Sequence, residues 1–221
     1  MLRVFMFLFV IFSINHQTRA QLANEEISPW IMPGSRSKFS NNVTAWVQPG
    51  WNPQQHLYIL YSQLFIQVNK YFEINPGHMF IKAGDLANVD LRDESTFFHA
   101  VILKLPFKKF SIDNRFMIWS RFRSDLSNDH HLYRNRIRLL IPAKFKSGNC
   151  RFYLFDEQTY DLNRSRWSRN RLALGASVDV NGYMNVDLSY ARQWDVPSGR
   201  LNLLFIMVTL NLSAYRSVNL N

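Results

Sequence analysis

From Met79 onward, apolar residues gather in short runs separated by polar, Pro-containing or Gly-containing breaks. Residues 97–105 (FFHAVILKL) end at Pro106, and 116–119 (FMIW) form a shorter run. Residues 134–141 (RNRIRLLI) alternate charge with apolar side chains up to Pro142. The runs 150–155, 186–188 and 201–212 (LNLLFIMVTLNL) follow. Short apolar runs bounded by turn residues are the sequence form of strands. The pattern predicts a mainly β domain over 79–221, an antiparallel β-sandwich of jelly-roll kind. No internal repeat is visible, and no linker divides this region.

The preceding segment reads differently. Residues 21–50 are polar and broken by Pro33, Gly34, Pro49 and Gly50, as in an extended arm. Asn52-Pro53-Gln54-Gln55 then offers a capping residue, a proline at the first helical position and a glutamine that can reach back. Leu57, Leu60, Tyr61, Leu64, Phe65, Val68, Tyr71 and Phe72 recur at helical spacing. The spacing predicts an amphipathic helix from Asn52 to Phe72, ended by Asn75-Pro76-Gly77. Arm and helix together occupy 21–78. Leu57, Leu60, Leu64, Phe65 and Val68 form the apolar face, suited either to a core seat or to a partner's groove.

Residues 1–20 carry a basic start at Arg3, an apolar run over 4–14 and small residues at Thr18 and Ala20. This is the form of a secretory signal peptide cleaved after Ala20. Its apolar run is shorter than the roughly 20 residues a spanning helix needs, so the expectation is a secreted, extracellular protein with no membrane span. In that setting Asn42-Val43-Thr44, Asn163-Arg164-Ser165 and Asn211-Leu212-Ser213 fit the glycosylation acceptor, with Asn42, Asn163 and Asn211 as the modified residues. The single cysteine, Cys150, rules out an intrachain disulfide and precedes an apolar run, which favours burial.

Composition excludes disorder for most of the 221 residues, since apolar residues make up 47% and aromatics 15%. No glycine-rich phosphate loop, nucleophile elbow, metal-ligand spacing or cysteine–histidine arrangement is present, so the chain reads as a non-enzyme without cofactor or metal. The formal charge of +10 is carried largely by arginine. Arg134, Arg136 and Arg138 share one face if their segment is a strand. Arg164, Arg166, Arg169 and Arg171 surround Trp167. Both clusters suit sulfated glycans or other acidic cell surfaces, and the secretory leader disfavours nucleic acid.

The stretch from Ile137 to Leu212 resembles the arm domain of a TGF-β-family propeptide, the latency-associated-peptide type. The resemblance runs through Arg138-Leu139-Leu140-Ile141, Arg151–Phe155, Asn170–Leu174, the segment 182–189 (GYMNVDLS), Tyr190-Ala191-Arg192-Gln193-Trp194 and 202–205. It implies a propeptide-like protein lacking its own growth factor, which binds or modulates a TGF-β-family growth factor or its pathway components. In that reading the Asn52–Phe72 helix clasps the growth factor. Residues 190–194 form a short helix, and Trp194 is buried against Val186 and Leu203.

Overall fold

The computed structural model describes residues 27–83, 93–123, 129–145, 148–180, 182–196 and 199–213. Eleven strands follow in chain order: β1 (Ile27–Lys38), β2 (Val43–Asn52), β3 (Leu57–Asn69), β4 (Phe72–Ala83), β5 (Glu94–Pro106), β6 (Ser111–Arg123), β7 (His130–Phe145), β8 (Gly148–Asp161), β9 (Arg166–Asp179), β10 (Met184–Asp195) and β11 (Gly199–Asn211). Every strand pairs antiparallel with its chain neighbour. The ring is completed by β1 lying parallel to β11, with Trp30 opposite Phe205 and Gly34 opposite Thr209. The result is a closed barrel. Closure leaves no edge strand to be covered.

Two expectations are corrected here. The chain does not split into two packed sheets: one sheet of eleven strands curls onto itself, so a barrel replaces the sandwich or jelly-roll. Among the described residues no element is a helix. Residues 52–72 supply the end of β2, a turn, all of β3, a second turn and the first residue of β4. The capping signal at Asn52 is real but closes a tight turn instead: Asn52 Oδ1 accepts the Gln55 backbone N–H at 2.9 Å, and His56 adopts φ 52°. The run LYILYSQLFIQV has apolar residues on both of its strand faces, which imitates helical spacing. Its wealth of Tyr, Ile, Phe and Val was the strand signal that the spacing obscured. Residues 190–194 likewise lie inside β10, not in a short helix. Residues 78 and 79 are neighbours within β4. The leader, residues 1–20, lies outside the described residues.

Side chains alternate between lumen and exterior, interrupted by register shifts at Gln67/Asn69 and Thr159/Tyr160. On β5, Glu94, Thr96, Phe98, Ala100 and Ile102 are buried, while Phe97, His99, Leu103 and Leu105 are exposed. On β10, Ser189, Ala191 and Gln193 are buried, while Leu188 and Tyr190 are exposed. Two apolar clusters brace the inside, one around Met79, Phe98, Ala100 and Met117, the other around Ala173, Ala191 and Leu203. Phe98 is accommodated by Gly77 directly opposite it. A Cβ at Gly77 would come within 2.6 Å of the Phe98 ring and of the Ser62 carbonyl oxygen. Trp194 sits on the outer face of β10, only partly buried, with the Arg192 guanidinium 5.7 Å from its ring. Leu203 faces the lumen, so the expected packing of Trp194 against it is not formed.

Candidate functional site

Polar and charged residues outnumber apolar ones among the buried positions. That is the reverse of a water-soluble core. The buried set includes Gln48, Asn52, Gln63, Glu73, Asn75, Glu94, Asp113, Arg134, Glu157, Asp161 and Gln193. Period-two alternation accounts for it: in β6, Asp113 and Arg115 take lumen positions, and in β7 Arg134, Arg136 and Arg138 do so. Glu157 of β8 stands opposite Arg136 on one side and Arg171 of β9 on the other.

Ion pairs tie the inner wall together across strands. Lys104 Nζ reaches Glu73 at 2.6 Å and Gln67 Oε1 at 2.9 Å. Arg121 holds both carboxylate oxygens of Glu94, its Nε at 2.9 Å, and Thr96 donates to the same carboxylate at 2.8 Å. Arg169 pairs with Asp195 at 2.5 Å, and Arg171 Nε donates to Gln193 Oε1 at 2.8 Å. Tyr153 OH donates to Asp187 at 2.7 Å, over Gly175, which lies opposite Tyr153.

The densest cluster centres on Glu157. Its carboxylate accepts from Arg115 Nη2 at 2.6 Å and from Arg134, and Arg171 approaches to 3.8 Å. Asp113 Oδ2 accepts from Arg138 Nε and Nη2 at 2.9 and 2.6 Å. Aromatic rings cover guanidinium faces: Arg134 lies 3.8 Å from the Trp119 centroid and Arg136 lies 5.4 Å from that of Phe155. Stacking of this kind leaves the edges of the fork free for acceptors.

The outer face has the opposite character. Leu60, Leu64 and Val68 of β3, Ile137 and Ile141 of β7, Phe152 and Leu154 of β8, Leu172 and Leu174 of β9, and Ile206 and Leu210 of β11 are all exposed. Aromatic residues ring both ends. Trp51, Tyr58 and Trp167 stand at the end where β1 begins, with Tyr160 packed 5.2 Å from Trp167. Phe39, Tyr71, Phe107, Phe110 and Tyr183 stand at the other end. A belt of hydrogen-bonded polar side chains crosses the exterior of β6–β11. It includes Asn135 donating to Asn114 at 2.8 Å, Asn170 to Asp156 at 2.7 Å and Tyr190 OH to Asn202 at 2.7 Å.

Sequence-predicted residues are distributed by this geometry. Of the helix face proposed for a growth factor, Leu57 and Phe65 point into the lumen and Leu60, Leu64 and Val68 point out, so they form no single docking surface. Arg134, Arg136, Arg138, Arg169 and Arg171 share the lumen, whereas Arg164 lies in the turn before β9 with its side chain 61% exposed, and Arg166 is exposed at the start of β9. Asn42 occupies an exposed turn. Asn163 accepts from the His131 N–H at 2.6 Å and donates to the Asp129 carbonyl at 3.0 Å, and Asn211 ends β11. Cys150 is buried and unpaired. Glu157, Asp113 and Arg115 are the members that sequence reading missed, although charges at alternate positions of strand-like runs would have flagged them. No group of three or more metal-ligating side chains gathers among the described residues.

Residues 12–202 match the family described as "Protein of unknown function (DUF2490)". The chain belongs to this family. The DUF2490 match and the barrel together overturn the resemblance to a TGF-β-family propeptide, and with it the growth-factor-binding keywords: no propeptide family matches, and 190–194, expected as a helix, is strand. No curated protein and no solved structure matches this DUF2490 chain.

Proposed function

We propose that the protein is an integral membrane β-barrel of outer-membrane type, carried to its bilayer by the secretory route that residues 1–20 encode. The observation that carries this reading is the inverted polarity of the wall, with apolar side chains outside and hydrogen-bonded or ion-paired side chains within. Membrane barrels need that arrangement, because the hydrocarbon core offers no partner to polar groups and the lumen does. Strand length supports it. The shortest strand, β2, has 10 residues and the longest, β7, has 16, against the roughly 9–11 a tilted strand needs to cross. Aromatic residues at both ends match the girdles that sit at headgroup level, and the polar belt on β6–β11 marks one margin of the apolar band. No helix among the described residues is long and apolar enough to cross a membrane, so any crossing here is made by strands. This proposal departs from the expectation of an extracellular protein without a membrane span.

A soluble ligand-binding barrel would present the opposite polarity, a charged exterior around an apolar cavity. Full-length protein mixed with lipid vesicles separates the two. The membrane reading predicts co-flotation with vesicles that resists both alkaline carbonate and urea washes. Recovery of a folded barrel in the aqueous fraction without detergent would overturn it.

A further inference from the structure

We propose that the lumen holds a binding site for a phosphate-type oxyanion, built by Arg115, Arg134, Arg136, Arg138 and Arg171 around Arg136. Five guanidinium groups converge on only two carboxylates, those of Asp113 and Glu157. Glu157 is already shared by Arg115, Arg134 and Arg171, and Asp113 Oδ2 is taken by Arg138. Arg136 is left over. It donates no hydrogen bond among the described residues, its Nε is buried without a partner, and its one ion contact is Asp113 Oδ1 at 3.9 Å.

Register makes the excess sharper. Arg115 and Arg136 are direct cross-strand partners, like charges that destabilise a sheet unless offset, and Glu157, the carboxylate set against both, is already bonded to Arg115 and Arg134. Arg134 Nε is also buried without an acceptor. Arg136 and the Nε of Arg134 are therefore buried donors with no acceptor at hydrogen-bond distance. The Arg115 and Arg136 side chains keep 14% exposure each and Arg138 keeps 29%, so the cluster is not sealed from solvent.

A tetrahedral dianion suits these donors. Guanidinium forks bind phosphate in bidentate fashion, whereas a monovalent halide satisfies one N–H at a time. Asp113 and Glu157 disfavour a more diffuse polyanion and hold the arginines in place. The site lies inside the barrel, so it does not depend on what the outer face meets.

Equilibrium dialysis of the purified full-length barrel against radiolabelled inorganic phosphate, in detergent and at constant ionic strength in sodium chloride, tests the inference. Glycerol phosphate serves as the second ligand. The expected result is saturable binding of about one phosphate per barrel. Arg136→Gln should weaken it at least tenfold, and Arg136→Lys by a smaller factor. Arg164→Gln, at the rim, should leave it unchanged. Competition by glycerol phosphate would identify a phosphomonoester solute as the occupant, and its failure to compete would identify the free ion. Absence of saturable phosphate binding to the wild-type barrel, or equal binding by folded Arg136→Gln, would each overturn the proposal. Should Arg136→Gln not fold, Arg138→Gln takes its place, with the same tenfold expectation.

Discussion

Replacing Glu157 by Gln removes one negative charge from the centre of the lumen while keeping the side chain's shape. The carboxylate is 3% exposed and accepts from Arg115 at 2.6 Å and from Arg134, with Arg171 at 3.8 Å. Buried to that degree, the carboxylate is little screened by solvent. Two charge-assisted hydrogen bonds, each worth about 1.5–3 kcal/mol, lose their ionic character. Arg115, Arg134 and Arg171 lose the carboxylate they share, and breaking a buried pair from one side costs about 3–5 kcal/mol. We therefore expect Glu157→Gln to lower unfolding stability by about 3–5 kcal/mol. Denaturant titration of the detergent-solubilised barrel, followed by tryptophan fluorescence, reads this out. The double variant Glu157→Gln with Arg134→Met should recover part of the loss, because it removes one of the stranded charges. A loss below about 1 kcal/mol for Glu157→Gln would refute the reasoning that Glu157 neutralises the cluster.

Three other outcomes follow from the same geometry. Gly77→Val should destabilise by at least about 1–3 kcal/mol in the same titration, since its Cβ would come within 2.6 Å of the Phe98 ring and of the Ser62 carbonyl oxygen. Leu174→Arg puts a charge on the middle of the outer face, where Leu174 is 60% exposed, and should cost about 2–4 kcal/mol in folding from urea into vesicles; a neutral effect would point to water on that face. Ile31→Cys with Ile206→Cys, in a Cys150→Ala background, should cross-link with a short bis-thiol reagent, because the two residues are register partners across the parallel β1–β11 seam. Ile31→Cys with Met184→Cys should not.

Much of the strand content was legible. Residues 97–105 and 134–141 lie within strands, as does the run 201–212 up to Asn211, and the prediction that Arg134, Arg136 and Arg138 would share a face follows from nothing more than a period of two. What that face meets was not legible. A sequence gives alternation, but the same alternation serves a sandwich with one wet face and a barrel with a wet lumen, and only the register of all the strands tells them apart. Residues 57–69 show the difficulty. Leu60, Leu64 and Val68 face out, Leu57, Ile59, Tyr61 and Phe65 face in, and both sets are apolar because the lumen there carries its own apolar cluster. Each barrel strand thus gives a weaker signal than a spanning helix does. Closure through β1 was invisible for another reason: Pro33, Gly34, Pro49 and Gly50 suggested a loose arm, yet the ladder tolerates them. Gly34 and Gly50 occupy lumen positions close to the Gln48 and Met32 side chains, and exposed Pro33 and Pro49 point outward.

The central claim is that the outer face of the barrel meets lipid and the inner face water. Spin labels placed singly at 204, 205, 206, 207, 208 and 209 of β11, with the protein folded into vesicles, test it residue by residue. The account predicts that labels at Leu204, Ile206 and Val208 relax strongly with lipid-dissolved oxygen and weakly with a water-soluble nickel chelate, while Phe205, Met207 and Thr209 do not share that oxygen response. Labels at 204, 206 and 208 that respond to the nickel chelate and not to oxygen would contradict it.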